Sequence, residues 1–206
     1  MTMGERQAHW ERVYETKGER DVSWFQESPA QSLESIRRAG VPRGGSIIDV
    51  GGGASRLVDE LLKEGFDVAV LDLSAAALEV ARSRLGARGE HARWIVADVT
   101  TWAPDRQYDL WHDRAAFHFL TDPEDRAAYV ACLAAAVKVG GYAMIATFAP
   151  DGPEKCSGLP VMRHDAESLA SALGERFILI ETGRGDHRTP SGAHQAFRFS
   201  LFRKGA

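Results

Sequence analysis

The stretch Ile47–Leu62, IIDVGGGASRLVDELL, decides the fold of this 206-residue chain. An apolar strand ends in three consecutive glycines, Gly51, Gly52 and Gly53, and an amphipathic helix follows them directly. Glycines at such a turn let the backbone reverse sharply and let a ligand lie against the main chain, facing the first amides of the helix. The stretch predicts a ligand-binding strand–loop–helix unit, but a glycine-rich loop alone also fits several nucleotide folds or a simple tight connection.

The spacing of the glycines separates the nucleotide-binding alternatives. A dinucleotide fingerprint that starts at Gly51 needs a third glycine where this chain has Arg56. A phosphate-binding P-loop needs a GKS or GKT sequence, which the loop lacks. What remains is a GxGxG-like loop in which Ser55 stands in place of the last glycine.

Two aspartates follow the next two predicted strands. Asp72 ends the second strand about 20 residues after Gly51, where a carboxylate can accept hydrogen bonds from both hydroxyls of a ribose. Asp98 ends the third strand, where it can accept from an adenine amino group while Val99 packs on the ring. Either aspartate alone could equally be a helix cap or a solvated loop acid. Together with the glycine loop, they predict a nucleoside site at the ends of successive strands.

The alternation of β-rich runs and helical stretches after Ser46 predicts an α/β fold, a doubly wound, seven-stranded, mostly parallel sheet whose last strand is antiparallel. The predicted strands are 46–50, 68–73, 93–97, 108–112, 142–148, 177–182 and 195–203, and the principal helices are 75–85, 123–139 and 166–173. The polar stretch 183–192 is expected to join the last two strands as a hairpin at the sheet edge. We expect one domain, residues 1–206, in which 1–42 form a helical lid segment and 43–206 the core.

The strand, the glycine loop and the LDLS and ADVT segments resemble the class I S-adenosylmethionine-dependent methyltransferases over Ser46–Phe148. The resemblance implies a Rossmann-like methyltransferase fold with S-adenosyl-L-methionine as cofactor. It would place Gly51 and Gly53 beside the amino-acid moiety, Asp72 at the ribose, and Asp98 with Val99 at the adenine. Asp49 would orient the loop and the amino group. The full predicted cofactor-binding set is Tyr14, Trp24, Asp49, Gly51, Gly52, Gly53, Asp72, Leu73, Asp98 and Val99.

The region after the fourth strand, YDLWHDRAAFHFLTDP, resembles the thiopurine and halide/thiol methyltransferases. By that resemblance Asp113 and Arg114 would lie at the rim of the active site. The same families carry a GPP-containing loop after the fifth strand, and here Ser157–Pro160, SGLP, stands in that place. Because of this departure, the resemblance does not identify the methyl acceptor of this chain. We expect the Gly- and Pro-rich loop Phe148–Pro160 to close over the acceptor.

The amino-terminal segments HWERVYETK and SWFQES resemble the front segment of the same families, which covers the cofactor. The candidate lid residues are Trp10, Tyr14, Trp24, Phe25 and Gln26. For Trp10, ordinary packing of an amphipathic helix on the sheet is an equal alternative.

Few side chains are needed for catalysis, because methyl transfer from a sulfonium mainly requires positioning and exclusion of water. The candidate catalytic residues are Arg114, Asp113 and His118, with Arg114 available to stabilise an anionic acceptor. His112 or His118 could remove a proton from a hydroxyl or amine. His118, between Phe117 and Phe119, fits equally a packed histidine bonded to a backbone carbonyl. We expect no metal, since the histidines lack a nearby cysteine or carboxylate cluster.

The sequence therefore predicts methyl transfer to a small-molecule acceptor, such as a thiol, a selenol or a similar soft nucleophile, whose anion forms near neutral pH. Protein lysine methylation is an alternative, because the amino-terminal pattern also resembles elongation-factor lysine methyltransferases. Those carry a DKGTxD-like segment where this chain has DRAAFH. A cofactor-binding module without turnover is another, favoured by Ser55 and by the lack of a decisive catalytic residue.

Composition limits the partners. A formal net charge of −4 and a pI near 6.0 give no general attraction to nucleic acid or anionic lipid, so we expect neither as a partner. The chain shows no apolar run long enough to cross a bilayer and no signal-like start, which favours a cytoplasmic protein. Cys132 and Cys156 are expected to be free thiols. We expect a monomer or a weak homodimer.

Overall fold

Alternating helices and strands build a seven-stranded sheet in the computed structural model, which describes residues 3–206. The helices are α1 (Met3–Thr16), α2 (Ala30–Ala39), α3 (Leu57–Glu64), α4 (Ala75–Leu85), α5 (Pro123–Ala136) and α6 (Ala166–Leu173). The strands are β1 (Ser46–Val50), β2 (Asp67–Asp72), β3 (Ala92–Val96), β4 (Tyr108–Arg114), β5 (Val137–Phe148), β6 (Lys155–Cys156), β7 (Leu159–Pro160), β8 (Phe177–Arg188) and β9 (His194–Lys204).

The sheet runs in the order β3-β2-β1-β4-β5-β9-β8. The strands from β3 to β5 pair in parallel, and β9 lies antiparallel between β5 and β8. This confirms the predicted fold class, including the antiparallel last strand and the hairpin at the edge. The strand order reverses between the neighbouring strands β1 and β4. In such sheets, ligands bind at the carboxyl ends of the strands beside this point.

Both faces of the sheet are covered by helices, which is why β1 is buried along its whole length. One apolar core lies between the sheet and α2, α3 and α4, and the second lies between the sheet and α5 and α6. The predicted bounds of α4 and α6 match the structure, since both helices begin after a capping residue and end at a glycine. The Ser74 hydroxyl accepts a hydrogen bond from the Ala77 amide at 3.1 Å, and Asp165 caps α6 through the Ser168 amide at 2.8 Å.

Two predicted boundaries were wrong. The helix expected to run to Val139 ends at Ala136, because Val137 already pairs with Tyr108 and begins the long strand β5. The stretch 183–192, expected to be a polar connection, instead extends β8 as far as Arg188, which pairs with His194. Backbone pairing with β9 continues there although the β8 side chains are mostly polar or absent, so these side chains carry no hydrophobic signal for the strand. Among the described residues, no helix is long and apolar enough to cross a membrane.

Candidate active site

A cavity of about 830 Å³, including its open mouth, lies at the carboxyl ends of β1, β2 and β4 and beneath α1. Its lining joins the glycine loop, the residues that follow three strands and the aromatic side chains of the front segment. The lining includes Arg6, Trp10, Tyr14, Trp24, Gly51, Asp72, Leu73, Asp98, Val99, Arg114, Phe119 and Cys156. A second cavity on the other side of the glycine loop is lined by Ser32, Asp49, Gly51, Gly52, His112 and Arg114, among others.

The glycine loop packs so closely on its neighbours that side chains are excluded. A Cβ at Gly52 would lie 2.6 Å from Oδ2 of Asp49 and 2.7 Å from the Val70 side chain. Gly51 has a φ of 66°, and its amide donates to the Leu71 carbonyl of β2 at 2.8 Å. The loop is thereby held against β2 with its backbone on the cavity wall.

The serine at the last position of the loop has a structural role. Ser55 Oγ accepts a hydrogen bond from the Leu57 amide, 3.1 Å away, in the first turn of α3. The loop is also braced from α4, because the Arg84 guanidinium donates to the carbonyls of Ala54 and Ser55, both at 2.8 Å. Sequence reasoning missed Arg84, since nothing near it in the chain indicates a contact with the loop.

Asp72 ends β2 and is buried in the cavity wall. One carboxylate oxygen, Oδ1, accepts a hydrogen bond from the Ser74 amide at 2.8 Å, and the other lies on the side of Gly53. Burial raises the pKa of Asp72 to about 7, although the amides of Ser74 and Gly53 stabilise its charge. Leu73 lines the same cavity. The Asp72 carboxylate can therefore accept hydrogen bonds from a ligand, and these bonds would compensate for its removal from water.

Asp98 also lines the cavity, next to Val99, but its oxygens already have partners in the chain. Oδ1 accepts from the amide and hydroxyl of Thr100 at 2.9 and 2.7 Å, and Oδ2 binds the Arg6 guanidinium at 2.8 Å. Burial alone would raise the pKa of Asp98, but the bonds from Thr100 and Arg6 outweigh it and hold the pKa below its ordinary value. Sequence reasoning missed Arg6, although it shares a helix face with Trp10 and Tyr14 at four-residue spacing.

Asp49 belongs to a buried chain of hydrogen bonds behind the glycine loop. Its Oδ1 lies 2.6 Å from Nδ1 of His112, and Nε2 of that ring lies 2.8 Å from the Ser32 hydroxyl on α2. All three side chains are buried, and Oδ2 of Asp49 has no hydrogen-bond partner among the described residues. Both ring nitrogens of His112 are therefore engaged within the fold, so the geometry does not support His112 as a general base.

The resemblance placed Asp113 at the rim of the active site, but the structure places this side chain in the core. It is fully buried and accepts hydrogen bonds from the Tyr129 hydroxyl at 2.6 Å and from the amides of Ala116 and Phe117 at 2.8 and 3.0 Å. Burial raises its pKa to about 6. Neighbouring residues of a strand point to opposite faces, so Arg114 is directed to the cavities and Asp113 into the core beside α5. Asp113 stabilises the turn after β4.

His118 is likewise not placed for catalysis. Its ring is fully buried, with its centroid 4.5 Å from that of Phe119 and 4.7 Å from that of Phe148. Neither ring nitrogen has a hydrogen-bond partner among the described residues, and His118 lines neither cavity described above. Burial lowers its pKa to about 3. His118 is thus a packed, neutral histidine, but without the predicted bond to a carbonyl.

Arg114, at the end of β4, lies where the two cavities meet. Its Nη1 donates to the Trp24 carbonyl at 3.2 Å, and its guanidinium carbon lies 4.9 Å from the centre of the Phe197 ring. Burial lowers its pKa to about 10, so the group keeps its charge at neutral pH. Of the three predicted catalytic residues, Arg114 is the one that reaches the cavities.

The front segment covers the cavity. The Trp10 ring packs edge-on against Trp24 at 5.5 Å and Phe119 at 5.0 Å, and Trp24 Nε1 donates to the Tyr14 hydroxyl at 3.1 Å. The other two predicted lid residues, Phe25 and Gln26, line the second cavity.

Glu11 of α1 was missed by sequence reasoning. It accepts hydrogen bonds from the Ala75 and Ala76 amides at 2.7 and 3.1 Å and so binds the amino terminus of α4. The Ser74 hydroxyl also donates a hydrogen bond to Oε2 of Glu11, at 3.0 Å. These bonds hold α1 across the cavity mouth.

The cysteines are unbridged, and both are buried. Cys156 on β6 lines the first cavity, and burial raises its pKa to about 11, which keeps the thiol protonated near neutral pH. Within residues 3–206, no group of three or more histidine, cysteine or acidic side chains is arranged to hold a metal ion.

Comparison with known proteins agrees with this architecture. Residues 47–141 match a family model described as a methyltransferase domain. The chain is 27% identical to a ubiquinone biosynthesis O-methyltransferase of Serratia proteamaculans (strain 568) over 154 residues, which are 74% of this chain and 57% of that protein. The chain spans only 54 to 60% of the length of this and two similar curated relatives.

Two solved structures share nearly the whole fold. One, from work on the conversion of a disulfide bond into a thioacetal group during echinomycin biosynthesis, has a TM-score of 0.78 at 21% identity and covers 97% of this chain and 92% of its own. The other is a Burkholderia thailandensis 1,6-didemethyltoxoflavin-N1-methyltransferase with bound S-adenosylhomocysteine, with a TM-score of 0.76 at 21% identity, covering 100% and 92%. The chain therefore has a Rossmann-like fold of the kind found in these methyltransferases, and residues 47–141 are the part that matches the methyltransferase-domain model.

Proposed function

We propose that this protein binds S-adenosyl-L-methionine in the first cavity and transfers its methyl group to a small-molecule acceptor. The observation that carries the proposal is the convergence of Gly51, Asp72 and Val99, which follow three different strands, on one cavity wall. Chance placement of helix caps or loop acids would not bring these groups to the same cavity.

The residues present fit the cofactor. The backbone at Gly51 leaves room for a ligand, and the buried carboxylate of Asp72 is an acceptor for ribose hydroxyls. Oδ2 of Asp49, buried without a partner among the described residues, lies on the second-cavity side of the glycine loop and is an acceptor suited to the ammonium group if the amino-acid end of the cofactor extends there. Val99 is available to pack on the adenine, whereas Asp98 can accept from the adenine amino group only by sharing or exchanging its Arg6 bond.

When bound, S-adenosylmethionine supplies a methyl group already activated on a sulfonium. The protein then has to hold the acceptor in line and exclude water, and Trp10, Trp24 and Phe119 provide an apolar cover for that purpose. No histidine lines the first cavity among the described residues, and Cys156 is protonated. This favours an acceptor that needs little help to lose a proton.

A thiol, selenol or similar soft nucleophile meets that requirement, because its anion forms near neutral pH. Oxygen and nitrogen acceptors are the second candidate, favoured by the similarity of the chain to an O-methyltransferase and an N-methyltransferase. Against protein lysine methylation stands the DRAAFH segment after β4, where the lysine methyltransferases that the amino-terminal pattern resembles carry a DKGTxD-like segment. If the protein were instead a binding module without turnover, it would bind the cofactor but form no methylated product.

The front segment, residues 1–42, acts in this proposal as a lid for both ligands. Its described part is fastened to the core at the nucleoside end by two α1 residues, Arg6 on Asp98 and Glu11 on α4. Opening of α1 would therefore release the contacts that surround the nucleoside. The loop 148–160, which carries Cys156 into the cavity, is placed to cover the acceptor, and unchanged protease protection with ligands would contradict that role.

Isothermal titration of S-adenosylmethionine and S-adenosylhomocysteine tests the proposal, with Asp72→Ala as the variant. We expect micromolar binding that the variant abolishes, and an acceptor screen with thiols, selenite, tellurite, halides and phenols then separates the acceptor classes. Asp105→Ala is the matched control, because Asp105 is an exposed carboxylate paired only with Arg93. Absence of binding by the wild type would remove the proposed function.

A further inference from the structure

The guanidinium of Arg114 is a strongly polar group of the site that the cofactor assignment leaves unexplained. Its Nε and Nη2 are shielded from solvent and have no hydrogen-bond partner among the described residues. Its hydrogen bond within the described part of the chain, from Nη1 to the Trp24 carbonyl, is long at 3.2 Å. Two of its three nitrogens are therefore unused.

No carboxylate of the described residues forms an ion pair with Arg114, although most other half-buried arginines near the site have one. Arg6 binds Asp98, Arg84 binds Asp59 at 2.7 Å, and Arg56 binds Glu19 at 3.0 Å. An unpaired charge removed from water is costly, so such arginines are normally paired in the folded state. The aromatic face of Phe197, 4.9 Å away, compensates only part of that cost.

The surroundings of Arg114 suit an anion. Its neighbours include the protonated Cys156 in the first cavity and the Phe197 ring, whereas the Asp49 carboxylate, whose charge interacts with Arg114, lies on the side of the second cavity. Arg114 lines both cavities, so a ligand in either one meets the guanidinium. A planar guanidinium with two free donors matches a carboxylate or a comparable oxyanion, which it can bind through two hydrogen bonds.

We propose that Arg114 binds an anionic group, such as a carboxylate, of the methyl acceptor and thereby selects acidic acceptors. The inference rests on the proposed function and adds to it the class of the acceptor. The same chemistry could come from the carboxylate of the cofactor's amino-acid end. The acceptor is favoured because, in the first cavity, Arg114 faces the neutral Cys156, which lies beyond β5 and not in the glycine loop. In the second cavity the Asp49 carboxylate, whose charge interacts with Arg114, disfavours another anion.

Binding measurements with defined probes separate these sources. The cofactor arm compares S-adenosylhomocysteine with 5′-methylthioadenosine, which lacks the amino-acid end, and the acceptor arm compares benzoate with its neutral isostere benzamide on the complex with S-adenosylhomocysteine. The variants are Arg114→Met, which removes the charge, and Arg114→Lys, which keeps it. Arg126→Met is the matched control, since Arg126 is also half-buried and bonded to a backbone carbonyl, that of Leu120 at 2.9 Å.

We expect the wild-type complex to bind benzoate in preference to benzamide, and Arg114→Met to lose benzoate affinity by about tenfold or more, as removal of a charge-assisted pair implies. Arg114→Lys should recover part of the loss, and the affinity for both nucleosides should stay unchanged. If Arg114→Met instead weakens S-adenosylhomocysteine but not 5′-methylthioadenosine, the anion belongs to the cofactor and the acceptor assignment is overturned. If neither probe distinguishes the variants, or benzoate does not bind in preference to benzamide, Arg114 is no anion site. Failure of the wild type to bind S-adenosylhomocysteine would instead contradict the proposed function.

Discussion

Lowering the pH should weaken nucleoside binding through Asp72. Both hydroxyls of a ribose are donors, and an ionised carboxylate accepts from them through charge-assisted bonds about twice as strong as neutral ones. A protonated Asp72 would present a hydroxyl donor at one oxygen, while its Oδ1 remains occupied by the Ser74 amide, 2.8 Å away. Binding therefore requires the ionised form.

The magnitude follows from the pKa of Asp72, which burial raises to about 7 in the free protein. Such a carboxyl is about nine-tenths ionised at about pH 8 and about one-tenth ionised at about pH 6. The affinity for 5′-methylthioadenosine should therefore fall about tenfold between these values. Binding should also release about half a proton near pH 7, because the ligand draws the carboxyl into its ionised form. Titration calorimetry in buffers of different ionisation enthalpy measures both quantities.

Two variants test whether Asp72 is the titrating group. Asp72→Asn should bind weakly and with no dependence on pH across this range. Asp98→Asn should keep the wild-type pH dependence, because the pKa of Asp98 is already held below its ordinary value by Thr100 and Arg6, so that it stays ionised throughout. A wild-type affinity that is flat over this range, or a pH dependence that survives in Asp72→Asn, would refute the reasoning.

Three further predictions concern residues around the cavity. His112→Ala should weaken S-adenosylhomocysteine about tenfold but leave 5′-methylthioadenosine unchanged, because Asp49 loses its 2.6 Å partner; equal losses for both ligands in calorimetry would contradict it. Tyr129→Phe should lower the free energy of unfolding by about 1–3 kcal/mol, since buried Asp113 loses a 2.6 Å hydrogen bond, with nucleoside affinity unchanged; urea denaturation measures this, and unaltered stability would count against it. Glu11→Ala should accelerate nucleoside association in stopped-flow fluorescence by loosening α1 from α4, and an unchanged rate would show that α1 does not gate the cavity.

The fold could be predicted from sequence because its decisive signals are local. The glycine loop, the caps at Ser74 and Asp165 and the period of the buried strands each act within a few residues. The errors fall where strand pairing overrides local composition, as in the polar second half of β8, which is a strand because it pairs with β9.

The candidate site divides in the same way. Asp72 and Gly51 could be placed at a cavity from sequence, because parallel strands bring their carboxyl ends to one edge. The direction in which Asp113 and Arg114 point depends on the register of β4 relative to its neighbours, and one residue separates the cavity from the core. Arg6 and Glu11 were not predictable, since their partners lie on elements distant in the chain.

The arrangement implies that the cavity is built at a cost to stability, and Asp72 allows that cost to be measured. Its folded-state pKa of about 7 exceeds the ordinary aspartate value of 3.8, so its contribution to stability is fully present below the unfolded pKa and is lost as the pH rises through about 7. Asparagine carries no such penalty but loses part of the hydrogen bonding. Asp72→Asn should therefore raise the free energy of unfolding at about pH 8 by roughly 1–3 kcal/mol, which corresponds to a rise in Tm of several degrees. The rise should be smaller at about pH 5.

The buried His118 has the opposite dependence, since its lowered pKa removes stability as the pH falls. Because wild type and variant share that histidine, its effect cancels in the difference between their melting temperatures. A variant that melts lower than the wild type at both pH values by the same amount would show that the Asp72 carboxylate is not held at a cost. If instead the variant is more stable and no longer binds S-adenosylhomocysteine, the same buried charge that weakens the free protein is the group that the nucleoside satisfies.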